Sequence, residues 1–347
     1  MAYTEIDDPS KFFQCTLFTG NGGTQTITNG GNSDLQPDWL WLKKRNADVN
    51  HFLFDSVRGA SKELNSNNTE AEASPANYLA SFNSDGFTIG SDSDINGNND
   101  TLVAWQWKAG TAFSNDASST SVGSIDSVGS VNTDAGFSIV SFTGGGANAT
   151  IKHGLTSKPS MIIVKARGQA STWSVYHASL GATKFLRLEG NNAVGTEAGW
   201  WNNTEPTSSV FSIGTNHYAN TQIAYCFSEK QGFSKFGSYI GNGQADGTYV
   251  HLGFSPAWIM RKKTSGTENW TIHDNKRDTH NVTFKRLLAN DSGAEYDSAS
   301  NQVDLLSNGF KCRASNDGSN ASGGNYIFMA FAENPFVTST GVPATAR

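Results

Sequence analysis

The sequence predicts an all-β fold, organised as three tandem, diverged β-sandwich repeats of the jelly-roll or lectin-like kind. The composition points there first: 36 Gly, 11% aromatic residues and only 16% charged residues, where about a quarter is ordinary. Helical surfaces are normally built from Glu, Lys, Arg and Ala, so this balance favours short strands joined by polar turns. The second observation is internal repetition, because one order of landmarks occurs three times. The third is that each landmark is a short alternating or apolar run bounded by Gly, Asn, Ser or Pro, the pattern of a strand between turns.

Each copy begins with an aromatic strand that runs into a Gly-rich turn, in FFQCTLFTGNGG, FSIVSFTGGGA and FGSYIGNGQADG. A proline then opens an alternating strand ending in basic residues: Pro37 to Lys43, Pro159 to Lys165 and Pro256 to Lys262. Proline fits the start of a strand, where a backbone donor can be lost. An aromatic segment follows in HFLFDSVRG, WSVYHASLG and WTIHDNKRD, and then a leucine-bearing piece in KELNSN, KFLRLEGNNA and KRLLANDSG. SDGFTIGSD, SSVFSIGTN and SNGFKCRAS each read as a turn plus a strand. The closing runs LVAWQWKAG, QIAYCFSEK and IFMAFAENP are apolar at nearly every position, as in strands buried on both faces.

The expected organisation is an N-terminal segment at 1–11, a first repeat at 12–110, a polar linker at 111–133, a second repeat at 134–232, a third at 233–336 and a flexible tail at 337–347. The linker assignment rests on GTAFSNDASSTSVGSIDSVGSVNTDAG, small polar residues with no period to bury. The segment 1–11 reads as a candidate docking peptide.

Net charge is −6 and no long run of Lys or Arg occurs, so the electrostatic footprint of a nucleic-acid binder is missing. No window approaches the ~20 apolar residues of a membrane helix, and the opening residues lack a secretion-signal pattern. A soluble chain is expected. Cys15, Cys226 and Cys312 are far apart and set among apolar neighbours, which predicts buried thiols and no disulfide framework.

The segments PDWLWLKKRN, FLFDSVRGASKEL, SFNSDGFTIGSD, LVAWQWKAG, IKHGLTSKPSMIIVK, SYIGNGQADGTYVHLGFSPAWIMRKK and YIFMAFAENPF resemble an uncharacterised repeat family of virion proteins from tailed phages, especially marine and cyanobacterial ones. The resemblance spans nearly the whole chain. It implies a structural protein of the particle, such as a tail fibre, tail appendage or capsid-surface component, with lectin-like sandwich units. It carries no catalytic residues.

Three groups of residues are candidates for chemistry. Asp92, Asp94, Asn96 and Asp100 begin like a Ca²⁺ loop, with oxygen-bearing side chains at alternate positions and Gly97 at the turn. Val103 then stands where the bidentate glutamate belongs, and a polar turn between strands explains the same letters. Trp200, Trp201, Asn202 and Asn203 lie in EAGWWNNTEP, a loop-like insert without an aromatic pair in the other copies. An exposed indole pair with neighbouring amides is a candidate contact for a carbohydrate or a protein partner; a loop anchored on its own domain is the competing reading. The other tryptophans fall in repeat strands, and most should face inward. Asp55, His177 and Asp274 end the same strand of each copy, where capping a turn is the simpler role than acid-base work.

The expectation is therefore a non-enzymatic virion protein, assembled in the host cytoplasm, that mediates host-surface attachment or particle decoration. Its partners would be other virion proteins and a host glycan, and a homotrimer is the favoured assembly. The alternatives are a glycan-degrading tailspike, which needs two facing carboxylates, and a connector that binds no glycan.

Overall fold

The structure, a computed structural model, describes residues 3–345. Met1, Ala2, Ala346 and Arg347, the outermost residues of the expected docking segment and tail, lie outside them.

The described residues are almost entirely strand and turn; helix is confined to single turns such as Ser93–Asn96, Ala117–Thr120 and Ala198–Trp201. Three large antiparallel sheets share one order. The first runs Phe13–Thr19, Thr101–Trp107, Trp39–Lys44, His51–Asp55, Leu64–Asn65. In the second, Phe137–Thr143, Thr221–Phe227, Met161–Ala166, Ser174–His177 and Lys184–Arg187 take the same places. In the third they are taken by Ser234–Ile240, Asn325–Pro335, Phe254–Lys263, Thr271–Asp274 and Lys285–Leu288. The apolar closing strand is thus internal in every sheet, between the opening strand and the proline-led strand, which is why it needs no polar face.

Each large sheet has two buried faces. Its outer face is covered by a small sheet, giving a β-sandwich-like layer pair: Gln25–Ile27, Gly86–Ile89 and Leu79–Asn83 over the first, Ala149–Lys152 with Val210–Ile213 over the second, and Tyr249–His251, Gly309–Cys312 and Val303–Leu306 over the third. The inner faces of all three large sheets meet in one core. Trp39 stacks on Tyr225 at 4.5 Å between the first and second sheets, Trp107 meets Trp258 edge-on at 5.6 Å between the first and third, and Phe227 meets Phe331 at 6.0 Å between the second and third. Offset and edge-on contacts at these distances suit the quadrupoles of the rings. Trp39, Trp41, Trp105, Trp107, Trp173, Trp258 and Trp270 are all buried, as are the three free cysteines.

Two expectations about connecting segments need correcting. Most of the stretch 111–133 is not a linker. Thr111–Asn115 and Ser127–Asn132 are strands, and the second pairs along the opening strand Phe137–Thr143; with Gly195–Thr196 at the opposite edge they bring the second sheet to eight strands. The residues it buries, Ser127, Gly129 and Ser130, are small, so it carries no hydrophobic period. The tail also turns back on itself: Thr338 N–H donates to Val342 O at 2.8 Å and Ser339 N–H to the Asp7 carboxylate at 2.6 Å. The N-terminal segment is itself fastened, with Tyr3 donating to Gly253 O at 2.7 Å and Thr4 to Gln231 O at 2.8 Å.

Candidate functional site

The polar groups with the most constrained geometry lie where the three sheets meet. The end of the aromatic strand is Asp55, His177 or Asp274, and each is buried. Asp55 accepts the backbone N–H of Arg58 at 2.8 Å and its guanidinium Nε at 2.5 Å, which closes the turn. From the second sheet, Tyr225 donates its hydroxyl to the same carboxylate at 2.7 Å. Asp274 repeats the arrangement with Arg277, at 2.8 and 2.5 Å, and receives Trp105 Nε1–H of the first sheet at 3.1 Å. At His177 the turn is closed by Ser179 N–H donating to Nδ1 at 3.2 Å, so the proton sits on Nε2 and is donated to Phe328 O of the third sheet at 3.2 Å. The second sheet thus joins the first, the first joins the third, and the third joins the second.

A second set of cross-links follows the same cycle. Lys43, Lys165 and Lys262 occupy one place in their proline-led strands, and all are buried. Lys43 Nζ donates to Val49 O at 2.8 Å and to Ser292 O, beside the third sheet, at 2.9 Å. Lys165 donates to Ser171 O at 2.7 Å and to Thr69 O, beside the first sheet, at 2.8 Å. Lys262 donates to Lys263 O at 2.7 Å and to Asn191 O, beside the second sheet, at 3.2 Å. Burial pushes each ammonium down to about 8. Fork-to-fork pairs lie at two of these seams: Arg45 with Glu295, at 3.0 and 2.7 Å, and Arg167 with Glu72, at 2.8 and 2.9 Å.

Electrostatics follow from this geometry. Burial pushes the Asp274 carboxyl up, but the Arg277 charge together with the hydrogen bonds from Arg277 and Trp105 outweighs it and holds the group below its ordinary value. Burial pushes His177 down to about 4, so it is neutral at ordinary pH. His153 and His217 are likewise held at about 4 by burial. Every polar atom of the cycle is thereby committed to an internal bond, and the chemistry this arrangement performs is mechanical: it fastens three sheets into a ring.

The Ca²⁺-like stretch is occupied by internal bonds. Asp92 caps the turn Ser93–Asn96 by accepting Asp94 N–H at 2.8 Å. Asp94 receives the Tyr78 hydroxyl at 3.4 Å, and Asp100 pairs with Lys44 at 2.7 Å, a bond that lowers the Asp100 carboxyl. Asn96 is buried and donates to Gly23 O and to Gly90 O, the latter at 2.7 Å. It locks the Gly-rich turn after the opening strand, and Asn320 does the same in the third region, donating to Gln244 O at 2.9 Å and Ala314 O at 3.0 Å. Among the described residues no cluster of three His, Cys, Asp or Glu side chains is placed to hold a metal ion.

Trp200 and Trp201 are not an exposed pair. They are 9% and 2% exposed and form part of the core between the layers of the second region, with Phe185 at 5.1 Å from Trp200 and Tyr176 at 5.9 Å from Trp201. The single turn Ala198–Trp201 turns both indoles inward around His217. Asn202 and Asn203 stay exposed in left-handed backbone at φ 50° and 48°, and Asn202 Oδ1 receives Asn148 at 2.8 Å. His153 is buried between Leu155 N–H and Thr207 O, whereas His251 is exposed beside Tyr249.

Sequence reasoning did not find the lysine cross-links or the roles of Arg58 and Arg277. Lys43, Lys165 and Lys262 were visible as basic strand ends. Nothing in a single strand says that such an end is buried against another sheet.

Searches of curated proteins and of solved structures each found no match. A single family model covers residues 8–335, all three sheets at once, and the chain belongs to that family, DUF7483, a domain of unknown function.

Proposed function

We propose that the chain is a non-enzymatic structural protein of a tailed-phage particle, built from three diverged copies of one β-sandwich unit. The copies are read from the shared strand order of the three large sheets and from side chains that recur at one place in each. The observation that carries the structural role is the cyclic set of seams. Tyr225 to Asp55, Trp105 to Asp274 and His177 to Phe328 make a closed ring from one chain, and they engage Asp55, His177 and Asp274, the residues considered above for acid-base work. A scaffold of this kind suits a tail fibre, appendage or capsid-surface component for host attachment or particle decoration, located in the virion. Its partners are other virion proteins and a host-surface glycan, and a homotrimer is its favoured assembly. No site on the chain is assigned to the glycan, because the indoles of Trp200 and Trp201 are committed to the core.

The test is fractionation of a lysate from cells infected with the phage that encodes the chain. The protein should co-band with density-purified particles at a fixed copy number and stay there after a high-salt wash. Recovery only in the particle-free fraction would overturn the reading. A glycan array with the purified chain separates attachment from decoration.

A further inference from the structure

The outer face of the third large sheet carries two arginines and a histidine at three places where the other two sheets carry no cation and, except at Glu63, apolar or aromatic side chains. Strand pairing puts Arg261, His273 and Arg286 on that face, since Arg261 lies opposite Thr271, His273 opposite Ile259, and Arg286 one step beyond the Leu287–Ile272 pair. The same places are filled by Leu42, Phe54 and Glu63 in the first sheet, and by Val164, Tyr176 and Phe185 in the second. Leu42 and Phe54, like Val164, Tyr176 and Phe185, belong to the apolar cores between the layers.

Arg261 is 0% exposed and cannot shed its proton. Its guanidinium donates to Asn301 O at 3.3 Å, to the Cys312 sulfur at 3.4 Å and to His273 Nδ1 at 3.4 Å. The Tyr239 hydroxyl also faces it, and burial pushes that phenol up, so it stays neutral. Among the described residues no carboxylate lies within ion-pair distance of Arg261 or Arg286; Glu268 is the acid that bears on Arg286, without pairing with it. Because Arg261 can only donate, His273 Nδ1 must accept, and the proton of the neutral ring sits on Nε2. Three N–H groups are then buried with no acceptor: Arg261 Nε, His273 Nε2 and Arg286 Nε. Buried donors are almost always satisfied, and a buried cation without a counter-charge is strongly disfavoured. Water supplies the hydrogen bonds but not the charge.

We propose that this cluster is a binding site for a small inorganic anion, a halide or an oxyanion, held between the two layers of the third region by Arg261, His273 and Arg286. Arg286 forms the outer wall: it is half-buried, and its guanidinium lies 4.4 Å from the ring of Tyr296, which is 39% exposed. Guanidinium groups match both halides and oxyanions, and the bound ion neutralises the charge that the fold has enclosed.

The experiment is isothermal titration of the full chain, dialysed into a low-salt zwitterionic buffer, with sodium chloride, sodium sulfate and sodium phosphate in separate runs, followed by thermal melts at matched ionic strength. Saturable binding of at least one anion is expected, with a melting temperature that rises with that anion and not with ionic strength alone. Arg261→Leu, which installs the residue found at this place in the first sheet, should weaken binding about tenfold or more and flatten the thermal response. Arg286→Gln should weaken it by less and provides the check if Arg261→Leu does not fold. No saturable heat with any of the three anions, or an unchanged response in both variants, would overturn the proposal. Chloride, sulfate and phosphate affinities distinguish a halide site from an oxyanion site.

Discussion

Two of the three seams are closed by a buried carboxylate and guanidinium, Asp55 with Arg58 and Asp274 with Arg277, while the third is closed by the neutral imidazole of His177. The places are equivalent in the fold and the task is the same. The chemistry differs in what happens when one partner is removed or protonated. A buried ion pair contributes little net stability while intact and costs much when half of it is lost, because a charge is left in the core. A neutral imidazole bonded to a carbonyl behaves as one ordinary hydrogen bond.

The largest expected effect follows directly. Asp274→Ala takes the 2.5 Å carboxylate from Arg277, leaves it the pair with Glu295 at 3.1 Å and Ile272 O at 3.1 Å, and strips Trp105 Nε1–H of its acceptor; it should cost about 3 kcal/mol in denaturant unfolding. His177→Gln should cost about 1–2 kcal/mol. Equal losses at the two seams would break the distinction between them.

Acid separates the seams by pH window. His177 titrates at about 4 in the fold against an ordinary value of 6.5. The unfolded chain therefore binds more protons between these values, and stability falls as pH drops from about 6.5 to 4. Each pH unit crossed in that window costs about 1.4 kcal/mol, so the loss from this group is about 3 kcal/mol by pH 4. His153 and His217, also in the second region, add losses of the same sign. The Asp274 carboxyl is held below its ordinary 3.8, so its contribution is lost only at lower pH. Burial also pushes His51, in the first region, and His273, in the third, well below 6.5, so every region loses stability as pH falls. In urea unfolding between about pH 6.5 and 4, His177→Gln should lose less stability than the parent chain; an equal fall in both would contradict the role given to His177.

The smallest effect belongs to the lysine cross-links. Their ammonium groups titrate at about 8 in the fold against 10.5 unfolded, so the unfolded chain binds more protons in that window and stability should rise with pH across it. Lys165→Met removes the enclosed charge but leaves Thr69 O and Ser171 O without this donor. The two effects oppose each other, and a change of about 1 kcal/mol or less is expected, together with a weaker alkaline rise. Urea titrations at pH 7.5 and 10 measure both.

The strands were legible in the sequence because they are local. A proline before an alternating run, or an apolar closing run, states its own burial, and the buried tryptophans of the repeat strands follow from the same periods. The strands at 111–115 and 127–132 were illegible for the opposite reason: Ser127, Gly129 and Ser130 are small enough to be covered without leaving an apolar stripe. The inward turn of Trp200 and Trp201 depends on one helical turn and on His217, sixteen residues later in the chain, so an insert's composition could not show it. Asp55, His177 and Asp274 could be read as turn caps. Their partners across the seams, Tyr225, Phe328 and Trp105, are more than a hundred residues away in the chain.

The central claim is that the three sheets form one cooperative body around a shared core. Differential scanning calorimetry of the full chain beside Asp274→Ala tests it most directly. The account predicts one transition, with calorimetric and van't Hoff enthalpies in agreement, that moves as a whole to lower temperature in the variant. Separate transitions, of which only the one belonging to residues 233–336 moves, would contradict it.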